Sequence, residues 1–134
     1  MQIKKISHIA VATSDSEQSR VLYEDILGLN NSGSELVKRE EVNTHFFELG
    51  ESSIEILEPL SEDSPVGKFL KKRGPGLHHI ALEVEGLDAY VIKLKAAGIH
   101  LLSEEPQLGA HDMRIIFIHP KSAGGVLVEL CEKV

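Results

Sequence analysis

An internal repeat constrains this chain more than any other feature. Residues 6–11 read ISHIAV and residues 77–82 read LHHIAL. His8 aligns with His79, an offset of 71 residues, about half of the 134-residue chain. The elements after each histidine recur as well. Ser14 with Glu17 reads as a capping box, apolar residues keep near-helical spacing from Gln18 to Leu27, and Gly28 supplies a left-handed stop. In the second half, Leu87, Val91 and Leu94 share one side of a helix over 87–97 that ends at Gly98. Strand-like runs follow each helix: Thr44–Leu49 and Ser53–Glu58, then Arg114–His119 and Val126–Leu130. A short strand before each pair is weakly marked, near 36–38 and near 101–102. Between the halves, Ser64-Pro65 starts a helix and Gly74-Pro75-Gly76 ends it. The expectation is one α+β domain over 1–134: a βαβββ module at about 1–60, a linker helix at about 61–76, and a second βαβββ module at about 77–134.

Composition narrows the partners. Fourteen Lys and Arg against 21 Asp and Glu give a formal charge of −7, with no basic block. Such a chain is a poor candidate for nucleic acid or an anionic membrane surface. The N-terminal run reads as a strand and not a signal peptide, and no stretch approaches the roughly 18 apolar residues of a membrane span. One cysteine, Cys131, permits no internal disulfide and nothing near it activates a thiol. Together these suggest a cytoplasmic protein.

Strand alternation then sorts the polar residues. His8 and Ala10 share one face, opposite Ile9 and Val11. Glu55 lies opposite Ile54 and Ile56. His79, Ala81 and Glu83 lie opposite Ile80, Leu82 and Val84. Glu129 and Leu127 lie opposite Val126, Val128 and Leu130. In each strand the aliphatic face is expected to pack on helices, and the other carries a metal-competent residue. Glu55 follows His8 by 47 residues and Glu129 follows His79 by 50, so the repeat yields two equivalent His–Glu pairs. A lone strand histidine is usually structural and a lone glutamate usually solvated; the fourfold coincidence makes His8, Glu55, His79 and Glu129 a candidate ligand set. His78 has the opposite parity and reads as structural. His45, His100, His111 and His119 lack counterparts in the other half, although His111 and His119 are candidates for lining a pocket. Two neutral imidazoles, two carboxylates and one divalent ion sum to zero charge, and mixed N,O donors suit Co, Ni, Mn, Fe or Zn. Four protein ligands on an octahedral ion leave two positions, enough to chelate two oxygens of one substrate, which a closed tetrahedral zinc site would not.

The segments SHIAVAT at 7–13, SIEILEPL at 53–60, DSPVGKFL at 63–70, GLHHIALEV at 76–84, LSEEPQLGAH at 102–111 and HPKSAGGVLVEL at 119–130 resemble the vicinal oxygen chelate superfamily. Within it they are most similar to the methylmalonyl-CoA epimerase family. The resemblance implies paired modules forming a cup-shaped, partly open, barrel-like sheet around a metal site. Its ligand positions fall on His8, Glu55, His79 and Glu129. It implies interconversion of (R)- and (S)-methylmalonyl-CoA through a metal-stabilised enolate, with Glu129 as one acid/base. Some members carry a third-strand glutamate as the second acid/base; the matching position here is Thr44, which cannot serve. Glu48 is the candidate in its place, with Glu41 or a water as alternatives. Lys121 and Ser122 are candidates for the phosphates of a CoA thioester. One divalent ion per chain is expected, Co(II) first and Ni(II), Mn(II) or Zn(II) as alternatives, in a homodimer. Two rival readings share the fold: a glyoxalase I with the same two-His, two-Glu ligand set, and a metal-free small-molecule-binding module.

Overall fold

A computed structural model describes residues 1–134. The chain order is β1 (Gln2–Ala12), α1 (Ser16–Arg20), β2 (Asn30–Val37), β3 (Val42–Leu49), β4 (Ser52–Pro59), α2 (Pro65–Arg73), β5 (Gly76–Glu85), α3 (Leu87–Ala96), β6 (Gln107–Leu108), β7 (Arg114–Ile118) and β8 (Val128–Glu132). This is the expected α+β order: strand, helix and three strands, then α2, then the same again.

The residues form two compact units, one of Met1–His8 with His79–Val134 and one of Ile9–His78. Strand β1 contributes its first part to the former and its last part to the latter. In the Ile9–His78 unit the hydrogen-bonded order is β2-β3-β4-β1, with β2–β3 and β3–β4 antiparallel. In the other unit it is β1-β5-β8-β7-β6, with β5–β8 parallel and β8–β7 and β7–β6 antiparallel. Each repeat therefore places its strands in the same order, second, third, fourth, first.

Local chemistry explains most boundaries. Ser64 caps α2 as expected: its hydroxyl accepts from Gly67 N–H at 3.1 Å and donates to the Ser61 carbonyl at 2.7 Å. Pro65 occupies the first turn, and Gly74 ends the helix at φ 74°. Gly98 follows α3 at φ 75°, a conformation that favours glycine. The start of α3 is tied to two strands. Gly86 N–H donates to Glu132 Oε2 at 2.6 Å, and Arg114 grips Asp88 at 2.7 and 3.3 Å, which holds the Asp88 carboxyl below its ordinary range.

Several expectations need correction. Ser14 and Glu17 do not form the first cap. Asp15 does, its Oδ1 accepting from Gln18 N–H at 3.1 Å, while Glu17 pairs with Arg20 at 2.8 Å. The helix is α-helical only to Arg20; Val21–Ile26 is a π-helix, closed by Leu27 N–H to Leu22 C=O at 2.9 Å, and Gly28 follows at φ 76°. Strand β2 begins at Asn30, earlier than expected, and β6 lies at Gln107–Leu108, while Leu101 makes one isolated bridge with Ile118. Strand β8 begins at Val128, two residues later than expected.

The rule for which face packs on helices holds in the second repeat and is incomplete in the Ile9–His78 unit. There Phe47 and Ile56 are buried and Tyr23 of the first helical segment meets Phe47 at 5.7 Å, while α2 covers the other face as well. In the second repeat, Val84, Leu130 and Ile116, with Leu82, pack on Leu87 and Val91 of α3, opposite His79. In the Ile9–His78 unit, Ala10, Ala12, Val42 and Leu57 pack on Val66 of α2, with Phe69 and Leu70 beside them. Leu57 shares a face with Glu55, so α2 covers the small-residue side, and Ile9 is left 36% exposed. Alternation shows which side chains share a face but not which face a helix covers; alanines leave room for one.

Replacing the observed cap tests the correction. Asp15→Ala should lower the unfolding free energy by about 1 kcal/mol, and Ser14→Ala by less than about 0.5 kcal/mol, measured by urea titration.

Candidate metal centre

Three neighbouring strands of one unit, β1, β5 and β8, supply the candidate donors. The strand order alone brings them close, because adjacent strands run about 4.8 Å apart. Ala81 is the register partner of Glu129 and Phe117 lies opposite Glu129 on β7. Glu129 is therefore diagonal to His79, and its longer side chain reaches back past the small, fully buried Ala81.

The donor atoms converge. His8 Nε2 lies 3.2 Å from His79 Nε2. Glu129 Oε1 lies 3.3 Å from His79 Nε2, and Oε2 lies 3.7 Å from His8 Nε2. Each carboxylate oxygen thus faces a different imidazole. All three residues are buried: His8 is 7% exposed, and His79 and Glu129 are 5% exposed. Burying a carboxylate and two imidazoles costs several kcal/mol unless their charges and lone pairs are answered.

These residues fit a divalent ion. Bonds of about 2.1 Å to a first-row ion place neighbouring ligand atoms about 3.0 to 3.4 Å apart, close to the spacings found. Two nitrogens facing each other at 3.2 Å cannot both carry protons, whereas both can offer lone pairs to one cation. Two nitrogens and a carboxylate are a donor set for borderline first-row metals.

The structure brings together His8, His79 and Glu129 of the expected ligand set. Glu55 belongs to the other unit, where it is buried at 8% exposure on β4, opposite Phe46 of β3. Thr44 is 2% exposed on the same face of β3 as Phe46. Glu48 shares that face, is exposed, and accepts from Ser32 Oγ at 2.9 Å. Glu41 is exposed with φ 50°. The His78 ring packs on Phe69 in a tilted arrangement at 4.8 Å and 60°. Lys121 and Ser122 lie in a short 3-10 turn, Pro120–Ser122. Lys121 is exposed with its backbone N–H on His119 Nδ1 at 3.0 Å, and Ser122 Oγ accepts from His100 N–H at 3.1 Å. His100 and His119 stack at 4.6 Å, and His111 is exposed in a left-handed conformation at φ 55°. His45 meets Glu58 at 3.3 Å on the face opposite Glu55.

Two side chains at the centre escaped the sequence reading. Ser7 Oγ lies 3.0 Å from His8 Nδ1, and the Phe117 ring meets the His79 ring edge to face at 5.3 Å and 87°. Ser7 stands in the motif directly before a proposed ligand, which is a usable signal. Phe117 is reachable only through the β7–β8 register.

If the three donors share an ion, binding must stabilise the fold. Free Co(II) at about 100 times its dissociation constant should add about 2.7 kcal/mol of stability. His79→Ala should abolish that increment in melts with and without chelator; an unchanged increment would exclude His79 as a ligand.

Residues 7–117 match the family model of the Glyoxalase/Bleomycin resistance protein/Dioxygenase superfamily. The human mitochondrial methylmalonyl-CoA epimerase is 42% identical over 127 residues, covering 94% of this chain and 72% of that one. The ethylmalonyl-CoA/methylmalonyl-CoA epimerase of Cereibacter sphaeroides is 39% identical, covering 96% and 97%. A solved methylmalonyl-CoA epimerase in complex with methylmalonyl-CoA and NH4+ superposes with a TM-score of 0.93 at 33% identity, covering 98% and 96%. The chain belongs to the Glyoxalase/Bleomycin resistance protein/Dioxygenase superfamily and, within it, to the methylmalonyl-CoA epimerases.

Proposed function

We propose that this chain is a metal-dependent isomerase that interconverts (R)- and (S)-methylmalonyl-CoA. The observation that carries the reading is the convergence of two buried imidazoles and one buried carboxylate in a member of this family. The substrate bears a thioester carbonyl and a free carboxylate on either side of the α-carbon. Epimerisation removes the α-proton and returns it to the opposite face, so an acid/base group is required on each side.

His8, His79 and Glu129 would hold a divalent ion, which when bound would supply Lewis-acid stabilisation of the negative charge that develops on the thioester oxygen. Glu129 is the acid/base on one face. Its two oxygens face different imidazoles, so one can hold the carboxylate in place while the other takes the α-proton in one direction of the reaction and donates a proton in the reverse direction, the group on the opposite face doing the converse. We assign Glu55 as the fourth ligand, on its equivalence to Glu129 in the repeat and its burial. Glu48 is our second acid/base. It is the diagonal neighbour of Glu55 on one face of β3 and β4, within reach of a long side chain, where Thr44 offers no carboxylate. We place the CoA phosphates at Lys121, an exposed cation, and Ser122.

The N,N,O,O donor set suits first-row divalent ions, and we take Co(II) first with Ni(II), Mn(II) and Zn(II) as alternatives. A homodimer is part of this proposal, and the exposed Ile3 of β1 is an apolar side chain that a second copy would cover. A lone, buried Cys131 suits the reducing cytoplasm. No helix is long and apolar enough to cross a membrane.

The test is a side-by-side assay with Co, Ni and Zn of methylmalonyl-CoA epimerisation and of isomerisation of the methylglyoxal–glutathione adduct. Activity confined to the second substrate would overturn the proposal. Glu129→Gln should abolish exchange of the substrate α-proton with solvent. Glu48→Gln should slow interconversion by at least about 100-fold with metal content unchanged. Interconversion near the wild-type rate would remove Glu48 from the mechanism.

A further inference from the structure

We infer that Ser7 is a positioning residue that fixes the tautomer and ring orientation of His8 for metal binding. The inference rests on the reading that His8, His79 and Glu129 hold a divalent ion. A neutral imidazole has one N–H and one lone pair, and it ligates only through the lone pair. His8 turns Nε2 toward His79 Nε2 and Glu129 Oε2, at 3.2 and 3.7 Å. As a ligand it must keep its proton on Nδ1, where that N–H needs an acceptor. Ser7 Oγ stands 3.0 Å away.

Chain geometry makes Ser7 specific for that nitrogen. Consecutive strand residues project to opposite faces, so the short serine side chain reaches only the ring atoms nearest its own backbone. Nδ1 is among them and Nε2 is not. Ser7 is half-buried, which limits the water that could replace it. Without the hydroxyl, the acceptor at 3.0 Å from Nδ1 is lost and the Nδ1–H tautomer is held less firmly. The opposite arrangement, Ser7 donating to an unprotonated Nδ1, would leave the proton on Nε2 and exclude His8 as a ligand. The two arrangements predict different tautomers.

Three variants separate positioning from packing. Ser7→Ala removes the acceptor, Ser7→Cys keeps most of the volume with a poor acceptor, and Ser7→Thr keeps the acceptor. Dissociation constants for Co(II) and Zn(II) are measured by chelator competition. The His8 tautomer is read by nitrogen NMR of the Zn(II)-loaded protein. Ser7→Ala and Ser7→Cys should weaken metal binding by about 10- to 100-fold. Ser7→Thr should stay within about threefold of wild type, retaining the acceptor. Wild type and Ser7→Thr should show an exchange-protected Nδ1–H on His8. If Ser7→Ala fails to fold, Ser7→Cys against Ser7→Thr decides. Wild-type affinity in Ser7→Cys, an equal loss in Ser7→Thr, or an Nε2–H tautomer in the loaded wild type would each overturn the inference. Failure of the wild type to bind either ion would overturn the metal reading itself, so the two failures are distinguishable.

Discussion

Everything at the centre depends on one constraint: three buried donors must point at one another from three separate strands. His8, His79 and Glu129 lie on β1, β5 and β8, with approaches of 3.2, 3.3 and 3.7 Å. A slip of one residue in any of these strands would turn a donor to the opposite face and put its chain neighbour in its place. The cost of burying the donors without partners makes such registers unfavourable, so the same polar groups that serve chemistry also select the pairing. The surroundings comply. Ala81 is small where Glu129 must pass, and Phe117 gives the His79 ring a wall at 5.3 Å.

Much of this was legible because strands have a period of two and the chain repeats. The offset of 71 residues pairs His8 with His79, and alternation selects His79 over His78. In the structure His79 lies with His8 and Glu129, whereas His78 packs on Phe69. The Ser64 cap, the Pro65 start and the stops at Gly74 and Gly98 were also readable, since each is a local rule with its own residue type.

Failures occurred where tertiary context decides. Ser14 and Asp15 are both good cap residues one position apart, and only the run of the backbone after β1 chooses Asp15, whose neighbouring Thr13 hydroxyl accepts the Asp15 N–H at 3.0 Å. The polar sequence of β2, NNSGSELV, has little strand preference of its own; it is a strand because it pairs with β3, through a shift between Asn31 and Gly33. No pattern along β1 could show that α2 would cover Ala10 and Ala12 and leave Ile9 exposed. Ser7 was visible as a letter, but its value lies in a 3.0 Å contact to a particular ring nitrogen.

The division of β1 bears on the order in which the molecule can assemble. Its first residues join the unit completed by His79–Val134, and its last residues join the unit of Ile9–His78. As the chain leaves the ribosome, Ile9–His78 has its own strands and the α2 helix available early. His8 meets His79 after 71 residues but must wait for Glu129, 121 residues later, before the donor set is complete. Closing so long a loop is entropically costly and slow. The metal centre is therefore the last part of the fold to be completed: β5 can pair with β1 once residue 85 has emerged, but the carboxylate donor arrives only with β8.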